Sequence, residues 1–124
     1  MAAVGNQGQY SKPQFPAAYQ TVLAATAVDV DGDIYDKAVR GDHVDFSAPG
    51  VDVYVSMADK GKYISGTSIA APFLTAAIAS SSSLSDRDEV IRNFARSAMD
   101  LGAKGKDTTF GRGLINAKNI CKTG

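Results

Sequence analysis

The chain reads as an α/β fold with a mostly parallel sheet, and three observations carry that reading. Thr21 to Val28 is a strand-length run that is apolar or small at nearly every position, as in strands buried on both faces of a parallel sheet. Ala2-Ala3-Val4 is a second, shorter run of the same character. From Thr67 to Ala79 the composition turns to Ala, Leu and Ile without glycine, which predicts a buried helix starting at or near Ser68 with Pro72 in its first turn.

In chain order, Ala2 to Val4 leads into the turn Gly5-Asn6-Gln7-Gly8. A buried strand so early implies sheet neighbours supplied by preceding chain. A loop holding Pro13 and Pro16 follows, then the Thr21 to Val28 strand and a turn at Asp29-Val30-Asp31-Gly32-Asp33. Val44-Asp45-Phe46 and Val51 to Val55 are short alternating segments, with Ser47-Ala48-Pro49-Gly50 read as the loop between them, and Lys62 to Ser65 is a further extended piece. A second helix is expected after Ser85 or Asp86. Asp88 and Glu89 suit its positive N-terminal end, and Val90, Ile91, Phe94, Ala95 and Ala98 form one apolar, core-facing stripe, with Gly102 as its stop. A last short helix is expected from Ile115 to Cys121.

Composition narrows the function. In 124 residues, 13 basic side chains balance 13 acidic ones and are interspersed with them, so the basic stripe of a nucleic-acid reader is missing. Hydrophobic content of 44% with 21% charged residues argues for a folded chain. No apolar run approaches the roughly 18 to 20 residues of a membrane-spanning helix, and Met1 to Val4 has no basic region of a signal peptide. A lone cysteine, Cys121, makes no internal disulfide, and no CxxC or histidine cluster suggests zinc. The acidic run from Asp29 to Asp36 lacks the spacing and terminal glutamate of an EF-hand loop and reads as a solvated hairpin turn.

The informative string is Gly66-Thr67-Ser68-Ile69-Ala70-Ala71-Pro72. It puts a serine at a helix N-terminus, where free N–H groups and the helix dipole favour developing negative charge, behind a glycine that lets a substrate backbone come close. On position alone, Ser68 would equally serve as a simple N-cap. The whole string, however, resembles the nucleophile signature of the subtilisin-like serine proteases, usually Gly-Thr-Ser-Met-Ala-(Ala or Ser)-Pro. Ala2-Ala3-Val4-Gly5-Asn6-Gln7-Gly8 is similar to that family's oxyanion-asparagine segment. Phe15-Pro16-Ala17-Ala18-Tyr19 and the strand after it resemble its Tyr-Pro-Ala-x-Tyr element. Phe46-Ser47, Ala48-Pro49-Gly50 and Phe110-Gly111-Arg112-Gly113-Leu114-Ile115-Asn116-Ala117 are similar to further landmarks in the family's order.

The resemblance implies the C-terminal part of a subtilisin-like three-layer fold, with residues 1–124 as a partial peptidase domain. It implies Ser68 as nucleophile and Asn6 as oxyanion donor, with Ala2, Ala3, Val4, Gly5, Gly66 and Thr67 binding substrate. No metal ligand and no catalytic cofactor is implied; a weak structural calcium held by carbonyls near Ala17, Tyr19 and Val22 is compatible with the family, as are a polypeptide substrate and an extracellular location. The family's Asp-Thr-Gly and His-Gly-Thr motifs, which carry the rest of the triad, are not in this sequence. The single histidine, His43, lies in Arg40-Gly41-Asp42-His43-Val44-Asp45, whose flanks do not match; Asp42 and Asp45 make a tempting dyad with it, but a loop role is the better reading. Phe73 to Ala76 stands where the family has His-Val-(Ala or Ser)-Gly, and Val4 where it often has alanine. Two readings follow: a serine endopeptidase fragment, inactive by itself and completed by an N-terminal half, or a non-catalytic truncated relic acting as a self-associating structural or interaction module.

Overall fold

The computed structural model describes residues 1–81 and 86–116. The strands are β1 (Ala2–Ala3), β2 (Ala24–Val28), β3 (Phe46–Pro49), β4 (Val53–Met57) and β5 (Lys60–Ile64), and the helices α1 (Thr67–Ala79) and α2 (Arg87–Ala95). β1, β2 and β3 form one parallel sheet in that order, with Ala3 opposite Ala25 and Ala25 opposite Phe46. β4 and β5 make a separate antiparallel hairpin whose last residue is four positions before Ser68.

Every residue of β2 is buried because both faces are covered. On one face Leu23, Ala25 and Phe46 pack with Leu74, Ala77, Val90 and Phe94 of the two helices. On the other, Ala24 joins Val4, Ala17, Ala38 and Val44. The small side chains of β2 let α1 lie close to the sheet, and Ala27, Ala48 and Ala70 meet there as a third apolar cluster. Phe46 and Phe94, both nearly fully buried, stack edge to face at 6.3 Å. Burial of each such side chain contributes about 1.5–3 kcal/mol.

Several sequence expectations are corrected. β2 begins at Ala24, not Thr21, because the Val22 N–H is spent on the Tyr19 carbonyl in a turn. Ser47 to Pro49, read as a loop, belongs to strand β3. It is paired with β2 on one side and covered on the other by Gly113 to Ile115, since Ser47 N–H donates to Gly113 and Ile115 N–H to Ser47. Tertiary pairing here overrides weak local strand preference. α1 starts one residue earlier than Ser68, so Pro72 falls past the first turn, where its missing N–H leaves the Ser68 carbonyl without the usual helical donor. α2 is capped by Asp86, whose carboxylate accepts the Glu89 N–H at 2.8 Å; Ser85 lies outside the described residues. It stops at Ala95 instead of running to Gly102, because Met99 exchanges two backbone hydrogen bonds with Leu114. Ile115 and Asn116 are not helical, and the remainder of the expected last helix lies outside the described residues. The acidic turn is a hairpin turn, closed by the Asp29 carboxylate accepting from the N–H groups of Asp31 and Asp33, and Val28 bridges Ile34 across it.

Candidate active site

Ser68 is the second residue of α1, in the turn whose N–H groups have no intrahelical partner. The N-cap is Gly66, and no side chain caps the helix, so the capping reading of Ser68 is excluded. Ser68 is exposed. Among the described residues, nothing hydrogen-bonds its hydroxyl or its N–H.

Asn6 sits in the loop that leaves β1 and is also exposed. Its Oδ1 accepts two hydrogen bonds from Thr67, one from the backbone N–H and one from the hydroxyl, both at 2.9 Å. A backbone N–H can only donate, so the Asn6 atom facing it is the oxygen, and this fixes which way the carboxamide points. The Thr67 hydroxyl in turn accepts the Gly5 N–H at 3.1 Å. Thr67 is fully buried, and its single hydroxyl proton is therefore committed to Asn6. Nδ2, the donating end of Asn6, is left without a partner among the described residues. A methyl built on Gly66 would stand 3.6 Å from Asn6 Nδ2 and 3.6 Å from Ser68 Oγ, which places the open donor and the serine oxygen around one vacant spot above Gly66.

The other sequence-derived site residues divide. Ala2 and Ala3 are half-buried on the edge strand, Gly5 is half-buried beside the asparagine, and Gly66 is buried, with the position of the methyl it lacks lying between Asn6 Nδ2 and Ser68 Oγ. Val4 and Thr67 have fully buried side chains, Val4 in the core below β1 and Thr67 under Asn6, so it is their backbones that are available to a substrate. Ala76, where a glycine was expected for close helix packing, is exposed and lines a groove, so its methyl strains nothing among the described residues.

His43 forms no dyad. Both ring nitrogens are shielded from solvent without a hydrogen-bond partner among the described residues, and burial, its largest influence, holds the imidazole below its ordinary pKa, against the charge of Asp45 and Asp42 and with that of Lys106. Asp45 acts on His43 through its charge, while its hydrogen bonds are made elsewhere. Its carboxylate, almost fully buried, accepts from Arg87 Nη2 at 3.1 Å, Arg112 Nη1 at 3.1 Å and the Ala24 N–H at 3.0 Å. Sequence reasoning did not assign this centre, nor Thr67 as the group that orients Asn6. An acidic residue on an apolar-flanked strand was the available signal for Asp45, but its arginines stand 42 and 67 positions away. No group of three or more His, Cys, Asp or Glu able to hold a metal stands together among the described residues, and none of their helices is long and apolar enough to cross a membrane.

Comparison with known proteins shows what the chain as a whole is similar to. The chain is 34% identical over 125 residues to the minor extracellular protease Epr of Bacillus subtilis, covering 95% of this chain and 19% of that protein. It is 34% identical over 129 residues to halolysin of Haloferax mediterranei, covering 99% of this chain and 24% of that protein. The chain thus spans a quarter or less of the length of these curated relatives. A solved lanthipeptide protease superposes with a TM-score of 0.82 at 22% identity, over 98% of this chain and 49% of that one, which shows the shared fold. The Peptidase_S8 model, the subtilase family, matches residues 1–113, and the chain belongs to that family.

Proposed function

We propose that residues 1–124 form the nucleophile-bearing part of a serine endopeptidase domain, with Ser68 as nucleophile and Asn6 as oxyanion donor. The observation that carries this is the vacant spot above Gly66, flanked by Ser68 Oγ and by an Asn6 amide that Thr67 has already turned. Ser68 Oγ attacks the carbonyl carbon of a peptide bond, and its proton passes to a histidine outside these residues. The oxygen, now negative, is held by Asn6 Nδ2 and the Ser68 N–H, aided by the α1 dipole. Collapse expels the amine with the proton the histidine carries, leaving an acyl-serine that water hydrolyses. Thr67 acts as a positioning residue throughout. Preorganised donors cost no reorientation as charge develops, which is the main reason such a corner accelerates the reaction.

Polypeptide is the substrate in this reading, and the base and its aspartate come with the rest of the domain. The surface supports a covering partner. α1 is apolar on nearly every side, as a helix enclosed in a domain is, yet Phe73 is 43% exposed. Beside it runs a groove of about 330 Å³ lined by Pro49, Phe73, Ala76, Ala77, Ser80 and Ile115. The same exposed surface favours the second reading, a non-catalytic self-associating module. A structural cation at the Ala17, Tyr19 and Val22 carbonyls is compatible with the loop: the Tyr19 carbonyl accepts the Val22 N–H but has a second lone pair. Such an ion would stiffen the loop and take no part in the reaction.

Fluorophosphonate labelling separates the two readings. The full natural polypeptide carrying this segment should label rapidly, its Ser68→Ala variant should not, and residues 1–124 alone should label at background rate and scatter light as more than a monomer. Equal labelling of wild type and Ser68→Ala would refute the nucleophile assignment, and a full polypeptide inert to the reagent would favour the non-catalytic module.

A further inference from the structure

The hairpin of β4 and β5 stands apart from the rest of the fold. None of its residues belongs to the three apolar clusters of the core, and its strands pack chiefly on each other. Two hydrogen bonds close its neck: the Gly66 N–H donates to the Gly50 carbonyl at 2.8 Å, and the Asp52 N–H to the Ser65 hydroxyl, also at 2.8 Å. Beyond the neck, neither strand makes a backbone hydrogen bond outside the hairpin among the described residues. Both strands are therefore edges, and every second residue along each turns its N–H and C=O outward. A lone two-stranded hairpin is marginally stable at best in water, so a further strand on one of these edges stabilises it.

The two edges differ. β5 reads Lys60-Gly61-Lys62-Tyr63-Ile64, and exposed lysines are a common device by which an edge is guarded against pairing. β4 reads Val53-Tyr54-Val55-Ser56-Met57, rich in strand-favouring residues and without charge, proline or glycine. Nor does its bulkiest side chain shield it. Tyr54 leans inward over β5: a methyl on Gly61 would coincide with the Tyr54 ring, and Tyr63, directly opposite, meets that ring edge to face at 5.4 Å. The outer margin of β4 is left as bare backbone between half-buried valines and an exposed Ser56 and Met57.

We propose that β4 is a homodimer contact, pairing antiparallel with β4 of a second copy about a two-fold axis at Val55. In that register Val55 faces Val55, Tyr54 faces Ser56 and Val53 faces Met57, so the ring meets a small partner, apolar residues meet apolar ones, and no like charges are opposed. A second copy is the occupant because the edge carries no charge with which to select a different chain. The pairing also limits itself. It leaves β5 at both margins of the four-stranded sheet, where Lys60 and Lys62 oppose any further strand, so assembly closes at two copies. The contact is independent of the reaction assigned to Ser68 and gives self-association a definite surface.

Sedimentation velocity of the full natural polypeptide, from about 1 to 200 µM, tests it. A monomer–dimer equilibrium with no larger species is expected, its dissociation constant on the order of 10–100 µM, as for small transient interfaces. Val55→Glu sets two carboxylates face to face on the axis while Lys62, its partner within the hairpin, favours the glutamate, so the dimer should weaken at least about tenfold with the fold kept. Val55→Lys/Lys62→Glu reverses both charges and should also be monomeric, and an equimolar mixture of the two variants should recover the dimer. Ser56→Lys, on an exposed position, supplies a second route to the monomer, and circular dichroism checks that each variant is folded. A wild type that stays monomeric at about 200 µM, association that survives both Val55→Glu and Ser56→Lys, or a mixture that stays monomeric would overturn the proposal. None of these outcomes bears on fluorophosphonate labelling of Ser68, so the two readings fail separately.

Discussion

Two polar centres lie on opposite sides of the chain's fate. Around Asp45, each carboxylate oxygen is taken: two arginines and a backbone N–H converge on it, Arg112 also lies 6.0 Å over the Phe46 ring, and the Asp45 carbonyl accepts the Arg112 N–H. Around Asn6 the satisfaction is one-sided. Oδ1 is doubly engaged by Thr67, while Nδ2, the Ser68 hydroxyl and the Ser68 N–H face outward with nothing on them among the described residues. A buried polar cluster that serves the fold closes most of its bonds, because unpaired groups there cost about 1–3 kcal/mol each; here both carboxylate oxygens are engaged and, within the cluster, the shielded Arg87 Nε is left without a partner among the described residues. A cluster built for chemistry fixes one end of each group and leaves the other for the reacting atoms.

The sharpest way to break the contrast is to fill the open side. Gly66→Ala puts a methyl in the vacant spot at ordinary contact distances, so the fold should lose no more than about 1 kcal/mol, the scale of a poorer N-cap. Activity of the full polypeptide should fall by about 10²–10³-fold, since the methyl takes the oxyanion's place. That range is the one known for loss of the asparagine donor in subtilisin itself, not an independent derivation. Undiminished kcat/KM in a folded Gly66→Ala protein would show that the oxyanion sits elsewhere.

Attacking the closed centre should do the opposite. Asp45→Asn removes the charge that two arginines share and should cost about 2–4 kcal/mol in urea unfolding of the full polypeptide. This is below the usual penalty for breaking a buried pair, because Arg87 and Arg112 remain 31% and 25% exposed and can turn to water. Per folded molecule, kcat should stay near wild type. A stability change under 0.5 kcal/mol, on the order of a bland surface substitution, would show the cluster to be ornamental.

Thr67→Val sits between the two centres. It keeps the shape and the backbone N–H to Asn6 but deletes the hydroxyl that links Gly5 to Asn6. Orientation of the amide should loosen without being lost, lowering kcat about tenfold with KM little changed, an effect of about 1.4 kcal/mol. Restoration by Thr67→Ser would separate the hydroxyl from mere packing, and a KM effect alone would contradict a positioning role.

The sequence made some of this legible and not the rest, for a physical reason visible in particular residues. The start of α1, the buried strand β2 and the cap at Asp86 are local: composition and capping chemistry declare them within a few positions. Ser68 and Asn6 were found through motif strings, also local. Most of β3 was read as loop because Ser47 to Pro49 is extended by virtue of β2 on one flank and Gly113 to Ile115 on the other. The inward turn of the Thr67 side chain was not legible, because a motif gives the order of residues and not which of them turn inward; its contact with Asn6 spans 61 positions. Long-range pairing, of strands or of charges, is what a single chain read in order does not display.

The smallest effect concerns His43, the residue that belongs to neither centre. Its imidazole is shielded with both nitrogens unpaired, and it faces the charges of Asp45, Lys106 and Asp42, with Arg87 and Arg112 bound to Asp45 behind it. Burial dominates and lowers its pKa in the folded state, so the folded protein prefers the neutral ring. The unfolded chain, titrating near the ordinary value of about 6.5, then takes up the proton first as pH falls. The stability this residue contributes is therefore intact above about pH 6.5 and is lost as pH drops from there toward the folded pKa. Carboxylates elsewhere also titrate in acid, so the measurement is a difference: urea stability of wild type against His43→Leu from pH 8 to pH 5. The leucine variant should match wild type at pH 8, because no hydrogen bond is lost, and should gain on it steadily below pH 6.5. A constant difference across that range would mean that the ring finds a partner for its proton in solution, which would move His43 from the unpaired class to the satisfied one and bring it closer in kind to Asp45.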